Sequence, residues 1–115
     1  MTFPDLSVKS QMKAHLEELQ KYFISHKHFL TTLTALGIDP KTTNLPVIMD
    51  FFPDGGCDFV RALVDGTSVV TLDIPWNEAK NIRIKKVLTL EQYGEGLSIH
   101  SLTKFNIAKE LAKGR

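Results

Sequence analysis

Apolar residues recur at gaps of three and four along the first third of the chain: Met12, Leu16, Leu19 and Phe23, then Leu30 and Leu33, with His26 on the same line. That spacing is the buried stripe of an amphipathic helix. His15, Tyr22, Phe29 and Leu36 widen it on one side, while Lys13, Glu17 and Lys21 stand four apart on the other and suit a solvated face. Ser7 is placed to cap the start and Gly37 to end it, and Asp39-Pro40 forbids continuation. The pattern predicts a helix over residues 7–36. A straight helix of that length would reach about 45 Å at ~1.5 Å per residue. A compact chain of this size has a radius of gyration of only about 13 Å. Either the helix breaks near residues 25–28, or a second copy of the chain covers the overhang.

Beyond Pro40 the period changes from helical to alternating. Residues 45–52 form a first strand, and Pro53-Asp54-Gly55-Gly56 is a turn by its chemistry. Strands over 58–64 and 67–74 are joined by Asp65-Gly66, a strong hairpin signal. A two-residue loop there sets Leu63 opposite Ser68, and a four-residue loop shifts the pairing by two; either gathers Phe59, Leu63, Val70, Leu72 and Ile74 on one face, with Arg61 as the misfit. The second face, with Val60, Ala62, Val64, Val69 and Thr71, is apolar enough to be half covered. Phe51 and Phe52 are adjacent, so they face opposite ways. A fourth strand over 81–92 points Ile82, Ile84, Leu88 and Leu90 inward; Lys86 shares that parity, which predicts a bulge or a sheet edge. After the turn at 93–96, a last helix runs over 101–113 and stops at Gly114. A long helix, a four-stranded mainly antiparallel sheet and a short C-terminal helix make an α+β fold, expected as a single domain over residues 1–115.

Composition excludes several classes. With 115 residues, 43% hydrophobic and 23% charged, the chain has the make-up of a globular domain rather than a disordered or disulfide-stapled one, and it holds a single cysteine. No apolar run approaches the ~20 residues of a membrane-spanning helix; the expected location is the cytoplasm. The net charge of +1 hides a segregation. Residues 39–79 carry two cations against seven acids, and residues 80–115 carry eight cations against three acids. Arg83, Lys85, Lys104, Lys109 and Lys113 are therefore the candidate contacts to an anionic partner such as nucleic acid.

The remaining candidate chemistry is sparse. His26 and His28 lie two apart, which on a helix turns them to opposite sides and prevents a shared metal ion. Cys57 sits among acids, which raise a thiol pKa and favour an inert cysteine. Gly55-Gly56 and Gly94-x-Gly96 match no phosphate-binding fingerprint. Arg61, placed against Phe59 and Leu72, needs an anion, which is either an acid of this chain or a ligand in a pocket between helix and sheet. No catalytic set, cofactor site or metal site is expected. The leading expectation is a non-enzymatic protein-interaction module, a regulator, inhibitor or adaptor. It would act as a homodimer through the second sheet face or the helical stripe of Met12, Leu16, Leu19, Phe23, His26 and Leu30. The alternatives are nucleic-acid binding through residues 80–115 and a small-ligand or enzymatic pocket.

Overall fold

The N-terminal stripe is carried by two helices rather than one. The computed structural model describes residues 6–39, 41, 45–77 and 81–114; Pro40 and Lys80 lie outside the described residues. Helix α1 spans Leu6–Ser25 and α2 spans Phe29–Ala35. Ser7, expected as the cap, is already helical. The break falls where the alternative of a broken helix placed it, and its causes are local. The Ser25 hydroxyl donates back to the carbonyls of Lys21 and Tyr22, competing for groups the next turn would use. The His26 N–H then bonds the Phe23 carbonyl at 3.0 Å, and the His28 N–H finds His26 Nδ1 at 3.1 Å. Gly37 ends α2 with φ +74°. The Gly37 and Ile38 N–H groups close on the Thr34 and Leu33 carbonyls, the paired bonds of a Schellman stop.

Four strands follow as an antiparallel meander in the order β1-β2-β3-β4. They span Val47–Asp54 (β1), Cys57–Val64 (β2), Ser68–Pro75 (β3) and Arg83–Thr89 (β4). Gly55 and Gly56, both at positive φ, form a two-residue turn, so Asp54 pairs with Cys57. Pro53 is tolerated because β1 is an outer strand. The second hairpin corrects the expected register. Asp65 and Gly66 both take positive φ, and the Thr67 N–H closes the turn on the Val64 carbonyl at 3.1 Å. Thr67 is then one residue too many for a two-residue loop, and Val64 pairs with Ser68, Leu63 with Val69. A one-residue slip moves a whole strand to the other face. Leu63 therefore shares its face with Val69, while Val60, Ala62 and Val64 join Val70, Leu72 and Ile74.

Both faces are covered. The face of Val60, Ala62, Val70 and Leu72 packs on Phe23 of α1 and Leu33 of α2, with Leu19, Phe29 and Phe51 around them. The other face, with Val47, Met49, Leu63 and Val69, packs on Phe105 and Ala108 of α4, which spans Ile99–Lys113. β4 is shorter than expected because Thr89 and Gln92 form a reciprocal capping box that starts a five-residue helix, α3, at Leu90. The result is the expected α+β architecture, with helices on both sides of the sheet. Among the described residues no helix is long and apolar enough to cross a membrane.

The same packing buries most of the expected helical interface within the chain. Leu16 and Phe23 are 0% and 2% exposed, Leu19 is packed against the core, and Met12 and His26 are half-buried. Only Leu30, 60% exposed, faces out. Bending at residues 25–28 lets one sheet cover both helical pieces, so the stripe offers no continuous face to a second copy.

Candidate interaction surface

The outer strands have opposite edges. On β1, the Gln20 side chain of α1 takes the place of a neighbouring strand. Its Nε2 donates to the Ile48 carbonyl at 2.7 Å and its Oε1 accepts from the Ile48 N–H, also at 2.7 Å. Gln20 is buried and donates as well to the Leu16 carbonyl at 2.8 Å. One amide thus satisfies both outward backbone groups of Ile48, which would otherwise be costly to bury.

β4 has a single strand neighbour among the described residues, β3. Every residue from Arg83 to Val87 is exposed. The β3–β4 register shifts between Thr71 and Leu72, leaving Lys85 as the extra residue between Ile84 and Lys86. This is the bulge at an edge that the parity of Lys86 predicts. Opposite residues share a face, so the pairs Ile84–Leu72 and Val87–Val70 put Ile84 and Val87 on the apolar side of the sheet. Both lie beyond the cover of the helices, 50% and 59% exposed. The pairs Lys86–Thr71 and Arg83–Asp73 put those two cations on the other side. Lys85 reaches the buried Asp73, Nζ to Oδ2 at 3.6 Å. Arg83 and Lys86 form no ion pair among the described residues.

The basic residues expected to meet an anion are dispersed rather than gathered. Arg83 and Lys85 lie toward the end of β4 that pairs with Asp73. Lys104 is bound to Asp50 at 2.7 Å. Lys109 lies over the Phe105 ring at 4.7 Å and, with Lys113, borders the Asp65-Gly66 turn at the opposite end of β4. Lys104 does meet Met12, His15 and His100 in an open groove of about 360 Å³ between α1 and α4.

Arg61 finds its anion within the chain. A bulge in β1 sets Asp50, rather than Met49, opposite Arg61. The guanidinium Nη1 lies 2.6 Å from Asp50 Oδ2, and Lys104 of α4 holds Oδ1. The guanidinium also sits 5.1 Å from the Phe59 ring and 5.7 Å from the Tyr93 ring. Asp50 is thus a clasp joining β1, β2 and α4. Burial pushes the Tyr93 hydroxyl above its usual 10.0, with the Arg61 guanidinium opposing. Beside the clasp, Phe52 stacks on Phe59 at 4.7 Å, on the face opposite Phe51.

The histidines sit at the helix break. Because residues 26–28 are a turn, their rings approach to 5.2 Å rather than pointing apart as helical geometry would require. His26 Nε2 lies 3.7 Å from Asp58, whose other oxygen accepts from the Trp76 indole at 3.1 Å. Among the described residues no three His, Cys, Asp or Glu side chains gather as metal ligands. Cys57 is a free, half-buried thiol at the start of β2.

Sequence reasoning missed Gln20 and Asp50. Gln20 is four residues after Leu16 and three before Phe23, and a polar residue on an apolar stripe is the signal that marks it. No protein-family model, no curated protein and no solved structure matches the chain.

Proposed function

We propose that the chain is a small non-enzymatic protein-interaction module that takes a partner along the outer edge of β4. The observation that carries this reading is the exposure of Ile84 and Val87 on an outer strand whose edge has no neighbour among the described residues, in a sheet whose other edge is capped at Ile48 by Gln20. An outer strand presents unpaired N–H and carbonyl groups, and an extended segment can add to it by main-chain hydrogen bonding. Such a segment would also cover the two apolar side chains. The engagement of Arg61 with Asp50 supports the non-enzymatic part, since the pocket reading rested on an unsatisfied arginine.

The test compares the immobilised chain with an Ile84→Asp/Val87→Asp double variant and a Leu30→Ser control in extract of the source cells. The module reading expects a protein that the wild type and the control retain and the double variant loses. A protein retained equally by all three would place the contact elsewhere, and no specific retention would remove the proposal. Circular dichroism checks that the variants stay folded, which their exposed positions favour.

A further inference from the structure

We infer that the segment received by β4 alternates acidic and apolar residues, an inference that rests on the β4 reading above. The two sides of β4 differ in chemistry. Ile84 and Val87 stand on the apolar face, and Arg83 and Lys86 stand on the other. A strand laid beside β4 alternates its side chains between the same two faces. Its apolar residues would extend the sheet's apolar face over Ile84 and Val87, and its alternate residues would meet Arg83 and Lys86. Opposite charge at directly facing positions is favourable and like charge is not. β4 spans seven residues and contains no acid, so the complementary segment is acidic, with about seven residues over roughly 23 Å.

The same chemistry argues against a second copy of this chain as the occupant. Two copies of β4 paired about a two-fold axis centred on Lys86 would set that lysine against itself, and each strand would bring Arg83, Lys85 and Lys86 to the other. Lysines and a bulge are also the devices by which outer strands resist indiscriminate pairing. The two roles agree: cations that repel neutral or basic strands admit an acidic one, which is specificity through rejection of the wrong partner. Lys85 is turned toward Asp73, which leaves Arg83 and Lys86 as the cations available to a partner.

The test is a titration of the full chain with two labelled peptides of equal length, one alternating glutamate and valine and the other lysine and valine, read by fluorescence anisotropy. A labelled oligothymidylate is the third probe. The acidic peptide is expected to bind about tenfold more tightly than the basic one, and an Arg83→Gln/Lys86→Glu variant is expected to lose most of that preference. Lys109→Gln/Lys113→Gln, at the other end of the molecule, should leave the preference intact. Equal affinity for the two peptides, or tighter binding of the oligothymidylate than of the acidic peptide, would overturn the inference. So would sedimentation of the free chain as a dimer that Val87→Lys dissolves, because the occupant would then be a second copy. The extract experiment stays independent of each of these failures: a protein lost with Ile84→Asp/Val87→Asp keeps β4 as the contact even if its segment is not acidic.

Discussion

At β1 the outward N–H and carbonyl of Ile48 are taken up by the Gln20 amide, 2.7 Å in each direction, in the buried first half of the strand. At β4 the residues from Arg83 to Val87 are all exposed, and the strand carries three cations and two exposed apolar side chains. Both strands are outer strands of one meander, and both carry a bulge. The bulge in β1 turns Asp50 onto Arg61 and Lys104, so it serves internal cohesion. The bulge in β4 lies at Lys85, which reaches Asp73, and the residues from Arg83 to Val87 face solvent. Among the described residues the chain therefore closes one edge at Ile48 with its own side chain and leaves the edge of β4 uncovered. A sheet whose edges were both merely blunted would not need so specific a closure on one side.

The sharpest way to break this comparison is to open the closed edge. Gln20→Met keeps the volume of the side chain but removes both partners of Ile48. With the two backbone groups buried and unpaired, at ~1–3 kcal/mol each, the fold should lose about 2–4 kcal/mol in denaturant titrations. A loss under ~1 kcal/mol would mean that water or a shifted strand replaces the glutamine, and that the two edges are more alike than their hydrogen bonding implies. Next comes Asp50→Asn, which leaves Arg61 and Lys104 without their carboxylate. Those cations keep partial access to water, so the expected cost is a smaller ~1–2 kcal/mol. Adding Lys104→Met to that variant should recover part of it.

Much of this asymmetry is legible in the amino-acid sequence, and the parts that are not have physical reasons. The run from Met12 to Leu33 marks a helical stripe, and the break within it comes from the Ser25 and His26 hydrogen bonds, which spacing alone does not encode. The Asp65-Gly66 turn is readable, but Thr67 is not recognisable as an extra residue, and that one residue exchanges the faces of β3. Arg61 consequently looks like a misfit in the core when it lies on the mixed face against Asp50. Lys86 gives away the β4 edge because alternation makes it conspicuous. Asp50 gives no such sign, since only the bulge at Met49 turns it toward Arg61 and α4.

The side of the sheet under α1 and α2 should also respond to pH. Burial holds the His26 imidazole below its usual 6.5; Asp58 opposes that shift, and His28 and Lys27 add to it. A histidine that protonates less readily folded than unfolded lends its stability fully above pH 6.5 and loses it as the pH falls from there through the folded value. His26 packs on Phe51 of β1 at 4.8 Å and faces Asp58 of β2, so the loss belongs to the side of the sheet that α1 and α2 cover. Between pH 8 and about pH 5.5, the urea midpoint should fall for the wild type and fall less for His26→Asn. An equal fall in both proteins would assign the dependence to other groups.

The smallest effect on stability is expected at β4, and it separates an open edge from a structural one. Ile84→Thr and Val87→Thr remove apolar area that is already about half in water, and threonine keeps the β-branched shape that suits a strand. Each should change the unfolding free energy by no more than ~0.5 kcal/mol, the range of ordinary surface substitutions. Amide exchange gives the matching local reading. The Ile48 N–H, held by Gln20, should exchange only with global opening, whereas the outward amides of β4 should exchange fast in the free chain. If β4 serves a partner, an acidic strand peptide should slow those outward amides and leave Ile48 untouched, and the two threonine substitutions should weaken that protection despite their small cost to the fold. Slow exchange along β4 in the free chain would mean the edge is already paired, and the contrast between the two strands would fail at its root.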